Sequence, residues 1–403
     1  MEPPGGVVDH GRLFALTVKA LNVLEPEFWI DPYPVFAELR AESPVRWHDD
    51  CQLWTVAGHD DVMRISRDPA TFCSGKGVLP SDRQRAITGA ESILFLDPPD
   101  HQRHRKLVSP AFTPRRISAL EEWVRELARD LLDAIDRDRP VDFAPAVAEP
   151  LPMLVIAEML GVPASDRDHF KVWSDAMISA ATEPTEGIDE LAFELWQYFE
   201  KIIQQRRVDP ADDLVSIIAH AEVDDVALTN AELNGFCMTL LVAGNETTRN
   251  LITGGVEALA HHPDQLQRLV EDHSLVPSAV EEMLRWVTPV MNFARTATKD
   301  VELGGERIAA GQMVFMLYGS ANRDPAVFGP SADTFDVARQ PNPHMAFGFG
   351  EHFCMGASLA RLEARILFEE LLQRFSSIEL AGDPERLRSS LMRGLVHLPV
   401  TVG

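Results

Sequence analysis

The chain has 403 residues, of which 45% are hydrophobic and 25% charged, with 37 basic and 62 acidic side chains and a net charge of −25. This length and apolar fraction suffice for a large core and argue against a chain that is disordered throughout. The acidic excess, without any basic run, argues against nucleic acid as a partner. No apolar stretch approaches the ~18 residues that are needed to span a bilayer.

Helical periodicity dominates the chain and is interrupted by short strand-like pieces. The predicted helices cover residues 33–41, 59–66, 99–107, 116–136, 151–160, 165–180, 188–207, 211–220, 229–261, 263–271, 276–287 and 355–375. The predicted strands cover 44–47, 53–56, 293–297, 301–303, 306–308 and 313–316, and the last ~25 residues, such as 397–402, are again extended. We therefore predict a mainly α protein with small β-sheets (α+β), as one domain over 1–403 with a loosely ordered N-terminal extension over residues 1–30.

The four cysteines, Cys51, Cys73, Cys237 and Cys354, lie far apart and form no C-x-x-C pair. So few cysteines in so long a chain argue against disulfide bonds and favour a reducing compartment. The N-terminal sequence Met-Glu-Pro-Pro-Gly-Gly lacks the basic and apolar regions of a signal peptide. We therefore expect a cytoplasmic protein, monomeric and without a membrane span.

A glycine-rich segment surrounds Cys354 just before the last long helix. Glycine lets a backbone approach a flat ligand closely, and the free amides at a helix start favour a thiolate. A lone cysteine of this kind is more often a buried structural residue. The segment contains the pattern F-G-x-G-x-H-x-C-x-G at Phe347, Gly348, Gly350, His352, Cys354 and Gly356. This pattern resembles the haem-binding loop of the cytochrome P-450 family, which implies that Cys354 binds the iron of haem b and that the loop contacts the cofactor.

The predicted helix 229–261 contains the sequence Ala-Gly-Asn-Glu-Thr-Thr at positions 243–248. Small residues at Ala243 and Gly244 would let a ligand touch the helix, and the Thr247 hydroxyl can bond to a backbone carbonyl. A polar helix face with an ordinary glycine would give the same sequence. The segment is similar to the acid–alcohol pair of the family. That similarity implies that haem lies against Ala243 and Gly244, that Thr247 assists oxygen activation, and that Glu246 helps to deliver protons.

Glu282 and Arg285 are spaced i, i+3, so they share one helical face and can pair. Such a pair is most often surface decoration. Here it resembles the E-x-x-R motif of the family, which implies a structural role behind the haem loop, with Arg339 as a candidate third member.

Four basic residues match family positions that contact the haem propionates. His101 and Arg105, spaced i, i+4, can clamp a carboxylate together. Arg295 begins a strand-like piece, and His352 lies in the haem loop. Each alone would be taken as a solvated surface charge, and only the resemblance assigns all four to the cofactor.

The resemblance extends from about residue 31 to the C-terminus and implies a monooxygenase that inserts one oxygen atom from O₂ into an organic substrate. No flavin or iron–sulfur domain is visible, so the resemblance implies electrons from NAD(P)H through a reductase and a ferredoxin. Arg103, Lys106, Arg361 and Arg365 are candidates for the docking patch, or ordinary surface charges. Two alternatives stay open: a haem-thiolate peroxygenase or isomerase, against which the Glu246–Thr247 pair argues, and a non-enzymatic haem- or ligand-binding protein.

Apolar residues at three places of the chain are candidates for the substrate pocket. They are Val78, Leu79, Leu94, Leu240, Val290, Met291 and Phe293. These side chains favour an apolar, bulky substrate, although each has equal claim to be an ordinary core residue. Family members acting on sterols, terpenoids or branched lipids are the most similar, and macrolide-type substrates remain an alternative.

Overall fold

The computed structural model describes residues 22–84, 92–180 and 187–403, which form fifteen α-helices. These are α1 (Tyr33–Glu42), α2 (His59–Arg67), α3 (Asp100–Val108), α4 (Pro114–Ala119), α5 (Glu121–Asp133), α6 (Pro150–Met159), α7 (Arg167–Ala180), α8 (Ile188–Val208), α9 (Leu214–Ala219), α10 (Asn230–His261), α11 (Pro263–Glu271), α12 (Val276–Val287), α13 (Tyr318–Ala321), α14 (Pro325–Phe328) and α15 (Ala357–Arg374). Within these ranges, no helix is long and apolar enough to cross a membrane.

The same residues form fourteen short strands. These are β1 (Val45–His48), β2 (Leu53–Val56), β3 (Phe72–Cys73), β4 (Val141–Asp142), β5 (Glu222–Val223), β6 (Val226–Ala227), β7 (Asn292–Ala297), β8 (Val301–Leu303), β9 (Glu306–Ile308), β10 (Met313–Leu317), β11 (Ile378–Leu380), β12 (Glu385–Arg386), β13 (Leu395–His397) and β14 (Pro399–Val402). The largest sheet has the order β1-β2-β10-β7-β3, and all its pairs are antiparallel except β10 with β2. The predicted mainly α architecture with small sheets is therefore confirmed.

Helix α10 runs through the main apolar core and contacts α6, α8, α12 and α15. It begins as the sequence predicts, because the Thr229 hydroxyl accepts from the Glu232 amide and the Glu232 carboxylate accepts from the Thr229 amide. Two glycines bring its neighbours close: a Cβ on Gly254 would lie 2.6 Å from Val287, and one on Gly255 would lie 2.9 Å from Phe368. The helix is thereby held by α12 and α15, which also carry the site residues described below.

Two expectations change in the structure. The single helix predicted for residues 116–136 is two helices, α4 and α5, because the Leu120 amide donates to the Ile117 carbonyl at 3.1 Å, one residue short of its α-helical partner. The loose extension expected for residues 1–30 does not include residues 22–30, since Phe28 and Trp29 are buried and the Trp29 ring nitrogen donates to the Val23 carbonyl. Residues 1–21 lie outside the described residues.

Candidate active site

The loop around Cys354 is a tight turn that leads into α15. Gly348 and Gly350 have φ values of +67° and +73°, which favour glycine. The Cys354 amide donates to the Phe347 carbonyl at 3.0 Å, which closes the turn. A Cβ on Gly350 would lie 2.0 Å from the backbone oxygen of Ser66, at the end of α2. The loop backbone therefore rests directly on α2, and Gly350 is needed for both its conformation and its contact.

The Cys354 thiol lies just before the first turn of α15. All four cysteines are free thiols, and Cys354 alone among them is exposed. Burial nevertheless raises its pKa, while the Gly356 amide and the positive charge of Arg105 act in the opposite direction. The sulfur therefore lies among protein atoms, although the residue as a whole is exposed. Donors and positive charge near this sulfur suit a thiolate ligand to a metal.

The four predicted basic residues come together in one cluster from three elements. His101 and Arg105 lie on α3, Arg295 lies on β7, and His352 lies in the Cys354 loop. The rings of His101 and His352 have centroids 4.2 Å apart. The nearest carboxylate to His101 is that of Glu351, with 3.8 Å between Nδ1 and Oε2. The structure thus gathers residues that are 251 positions apart in the sequence, from 101 to 352.

The electrostatics of this cluster favour an anion. Burial, helped by Arg295, His101 and Arg105, lowers the pKa of His352 to about 2. Burial likewise lowers the pKa of His101 and of Arg295. His101 Nδ1 is buried and makes no hydrogen bond within the described parts of the chain. A carboxylate placed here would meet several donors and relieve this like-charge repulsion.

The sequence did not predict two residues that orient this cluster. Ser74 Oγ lies 3.0 Å from His352 Nε2. Asp97 accepts from the amides of Ser74 at 2.7 Å and Gly75 at 3.0 Å, and so fixes the backbone that carries Ser74. No local pattern connects position 74 with position 352, since the contact arises only from the fold.

Helix α10 presents an open face at the level of the predicted acid–alcohol segment. Leu240, Ala243 and Thr247 are half-buried or exposed, although the helix lies in the core. The Thr247 hydroxyl donates to the Ala243 carbonyl at 2.7 Å, as the sequence predicts. Gly244 is different: a Cβ there would lie 2.6 Å from Cδ1 of Ile156 on α6. The structure thus places Gly244 at a helix–helix contact with α6.

Glu246 lies one residue before Thr247 and is 2% exposed. Its Oε1 accepts from Arg249 Nη2 at 2.8 Å and from Asn250 Nδ2 at 3.2 Å. Neither partner was predicted, although the i, i+3 and i, i+4 spacings are a signal for both contacts. The carboxylate of Glu246 is therefore held by two neighbours of its own helix.

Glu282, Arg285 and Arg339 form a completely buried ion network. Arg285 donates to both Glu282 oxygens at 2.7 Å, and Arg339 Nε donates to the same two oxygens at 3.2 and 3.1 Å. The remaining Arg285 protons reach three backbone carbonyls, including that of Ala332 at 2.7 Å. This network ties α12 to the chain that leads to the Cys354 loop, and Arg339 is the third member that the sequence predicts.

The apolar pocket candidates divide into two groups. Leu79, Leu94, Leu240, Val290 and Phe293 are half-buried. Val78 is only 3% exposed, and Met291 is 1% exposed and packs beside Phe36, where its Cε would lie 2.4 Å from a Cβ on Gly319. The structure thus places Met291 in the N-terminal core, which argues against a place in the pocket. Ser92 Oγ and Thr239 Oγ1, 3.1 Å apart, join the Leu94 turn to α10.

The predicted basic docking patch is largely neutralised by acidic neighbours. Arg361 donates to both oxygens of Glu281. Arg365 pairs with Glu121 at 3.1 Å and Glu369 at 2.9 Å. Arg103 lies 3.7 Å from Glu232. Of the four candidates, Lys106 is an exposed residue of α3.

Sequence and structure comparisons agree on one family. The Cytochrome P450 family model matches residues 46–145 and 156–401. The protein named cytochrome P450 126 from Mycobacterium tuberculosis is 42% identical over 393 residues, which cover 92% of this chain and 94% of that protein. The methyl-branched lipid omega-hydroxylase of the same species is 39% identical over 388 residues, which cover 91% of this chain and 90% of that one.

A solved structure shows the same architecture. CYP109E1 from Bacillus megaterium in complex with testosterone superposes with a TM-score of 0.83 and is 34% identical, over 92% of this chain and 99% of that chain. The identity and the coverage are both high enough to extend the likeness beyond the fold.

Proposed function

This chain belongs to the cytochrome P450 family of haem-iron monooxygenases, and from that premise we propose that it hydroxylates a bulky apolar substrate with electrons from a ferredoxin. The observation that carries the proposal is the meeting of an exposed thiol, just before α15, with a cluster of four basic side chains, of which His101 and Arg295 are buried. A haem needs a ligand for its iron and hydrogen-bond donors for its two carboxylates, and the thiol and the basic side chains are groups of these two kinds. Haem bound here would supply an iron that activates O₂.

Residues of this chain would hold the cofactor at two positions. Cys354 would provide the thiolate ligand, because the α15 amides and Arg105 stabilise negative charge on its sulfur. His101, Arg105, Arg295 and His352 would bind the carboxylates of haem b. The buried, unpartnered Nδ1 of His101 and the lowered pKa of His352 fit an anionic ligand, and the exposed Ala243 offers a surface for a flat ring.

Thr247 and Glu246 would control protons at the oxygen-binding side. The Thr247 hydroxyl donates its own proton to the Ala243 carbonyl, so its oxygen lone pairs remain available to accept a hydrogen bond on the open face of α10. Glu246 would exchange protons with solvent. General acid–base groups of this kind contribute about 10²–10⁴-fold to a rate.

The substrate and the partners follow from chemistry and relatives together. Half-buried apolar side chains at Leu79, Leu94 and Phe293 favour an apolar molecule. One relative is named for a methyl-branched lipid, and one solved relative holds testosterone. We therefore place sterols and branched lipids before macrolides. Because four free, scattered thiols provide no cluster site, electrons would come from NAD(P)H through a separate reductase and ferredoxin, in the cytoplasm.

The first test is the carbon monoxide difference spectrum of the reduced protein. We expect the thiolate-ligated band in the parent, and we expect Cys354→Ser to lose that band together with most activity. Cys237→Ser, at another free but buried thiol, is the matched control. A normal thiolate band in Cys354→Ser would refute the ligand assignment. Spectral titration with testosterone, a methyl-branched fatty acid and a macrolide then ranks the substrate classes by the size of the type I shift.

The second test concerns the proton role of the α10 segment. We expect Thr247→Ala to keep its carbon monoxide spectrum but to consume NAD(P)H mainly without product, so that peroxide rises about tenfold relative to product. Thr248→Ala, at the neighbouring buried hydroxyl, is the control. Turnover driven equally well by peroxide and by the redox partners would favour the peroxygenase alternative.

A further inference from the structure

The proposed proton carrier has a buried amide one helical turn away. Asn250 has no solvent exposure, and its Nδ2 donates to Glu246 Oε1 at 3.2 Å. Its Oδ1 is buried and accepts no hydrogen bond from any residue that the structure describes. A buried amide with an unsatisfied oxygen costs stability, so packing alone would favour an apolar residue at position 250. The bond to Glu246 is the compensating contact.

Two other asparagines of α10 show what an ordinary buried amide does on this helix. Asn234 donates to the Trp196 carbonyl of α8 at 2.8 Å, and Asn245 donates to Ser174 of α7 at 2.8 Å. Each of these amides ties α10 to a second helix. The Asn250 bond stays within α10 and ends on a carboxylate, so a tie between helices does not account for it.

A close contact from outside the helix holds the Asn250 amide in place. A Cβ on Gly394, just before β13, would lie 1.9 Å from Asn250 Oδ1 and 2.9 Å from Nδ2. Gly394 is not one of the glycines with a positive φ, so its backbone does not demand glycine. Glycine is required at position 394 because the Asn250 amide occupies the space that a side chain there would need. The backbone at Gly394 therefore restricts the Asn250 side chain sterically and keeps Nδ2 directed at Glu246.

We propose that Asn250 is a positioning residue for Glu246, and that Gly394 keeps Asn250 in the productive orientation. The inference rests on the proposed function, since it presupposes that Glu246 delivers protons. Arg249 binds the same carboxylate oxygen at 2.8 Å. Asn250 supplies a second, neutral donor, and two donors from different directions define the carboxylate orientation better than one.

The test uses two variants that disturb the contact differently. Asn250→Leu removes the donor, whereas Gly394→Ala keeps every polar group and only displaces the amide. Asn234→Leu is the matched control, because Asn234 is also buried on α10, donates one bond and has an unsatisfied oxygen. All three variants are compared as haem-loaded enzymes with the panel compound that gives the largest type I shift. Their carbon monoxide spectra confirm that the haem site is intact.

We expect peroxide per product to rise about tenfold in both Asn250→Leu and Gly394→Ala, with a changed solvent isotope effect on product formation, and neither change in Asn234→Leu. Parent-like coupling in both variants, with coupling lost in Glu246→Gln, would overturn the positioning role and leave the proposed function intact. Parent-like coupling in Glu246→Gln itself would overturn the proposed function. An equal loss in Asn234→Leu would show a general packing effect and would also overturn the role of Asn250.

A spectroscopic readout tests the contact without turnover. In the ferrous carbon monoxide form, with selectively labelled asparagine, the carboxamide resonance of Asn250 should shift in Glu246→Gln and in Gly394→Ala. The Asn234 resonance should stay unchanged in both. An unshifted Asn250 resonance in Glu246→Gln would mean that the hydrogen bond is not formed in solution, and the proposal would fall.

Discussion

The molecule contains two contrasting clusters of charged side chains, the Glu282–Arg285–Arg339 network and the basic cluster around His352, and they are built on opposite rules. In the Glu282–Arg285–Arg339 network, each glutamate oxygen accepts three hydrogen bonds, and the arginines also donate to backbone carbonyls. In the basic cluster, His101 and His352 face each other beside two arginines, with their pKa values lowered. The first cluster satisfies its own hydrogen bonds, whereas the second leaves His101 Nδ1 without a partner among the described residues and suits the anionic ligand that we propose.

This contrast gives a physical criterion for separating structure from function. A buried charge costs several kcal/mol unless it is paired and hydrogen-bonded. A cluster that meets this requirement internally serves the fold. A cluster that does not meet this requirement indicates a ligand, and here it stands beside Cys354, the exposed thiol among the four described cysteines.

The largest effect is expected from breaking the self-completed network. Arg285→Leu leaves Glu282 with fewer donors and removes the arginine donor from the carbonyls of Asn322 and Ala332. This change should lower the free energy of unfolding by about 3–5 kcal/mol. Urea denaturation followed by circular dichroism measures this change. Arg307→Leu is the control, since Arg307 forms a surface pair with Asp300 at 2.8 Å and should show no measurable change. Equal stability of the two variants would invalidate the criterion.

A second prediction uses a buried carboxyl that belongs to neither cluster. Glu363 on α15 is fully buried, neither oxygen has a hydrogen-bond partner in the described ranges, and burial raises its pKa from 4.5 to about 8. Because the unfolded chain ionises first, this group should reduce stability progressively as the pH rises from 4.5 to 8. Glu363→Gln should remove this slope and add on the order of 2 kcal/mol at pH 8. Urea titrations of the parent and of Glu363→Gln at pH 5 and pH 8 measure this difference. An unchanged pH dependence of the unfolding free energy in the variant would contradict the prediction.

The smallest effect on unfolding free energy is expected from a substitution in the basic cluster around His352. Arg105→Gln removes one of several like charges, so the unfolding free energy of the apoprotein should stay constant or rise slightly. Haem affinity should fall about tenfold, or about 1.4 kcal/mol, because one carboxylate contact is lost. Haem transfer to apomyoglobin measures the affinity. A destabilised apoprotein with unchanged haem affinity would make Arg105 a structural residue.

The sequence predicts those features whose causes are local. The capping box sets the start of α10, and the spacing of glycines about Cys354 identifies the loop. The contacts of Ser74 with His352 and of Gly244 with Ile156 depend on which segments the fold brings together. Periodicity marks Met291 as apolar, but only the sheet decides that it packs beside Phe36. Local patterns therefore predict which residues belong to a helix start, a turn or an apolar core, whereas tertiary packing determines which residues they contact.

The contact between Gly350 and the Ser66 carbonyl has a consequence for engineering this protein. With 2.0 Å between a Cβ at position 350 and that oxygen, the position of the thiol is set jointly by two segments that are nearly three hundred residues apart. Chimeras that exchange the C-terminal half with a homologue should therefore move residues 59–67 and 347–356 together. A crossover between these two segments would combine a Cys354 loop from one protein with an α2 from another. The loop would then not fit against α2, and we expect reduced incorporation of the cofactor.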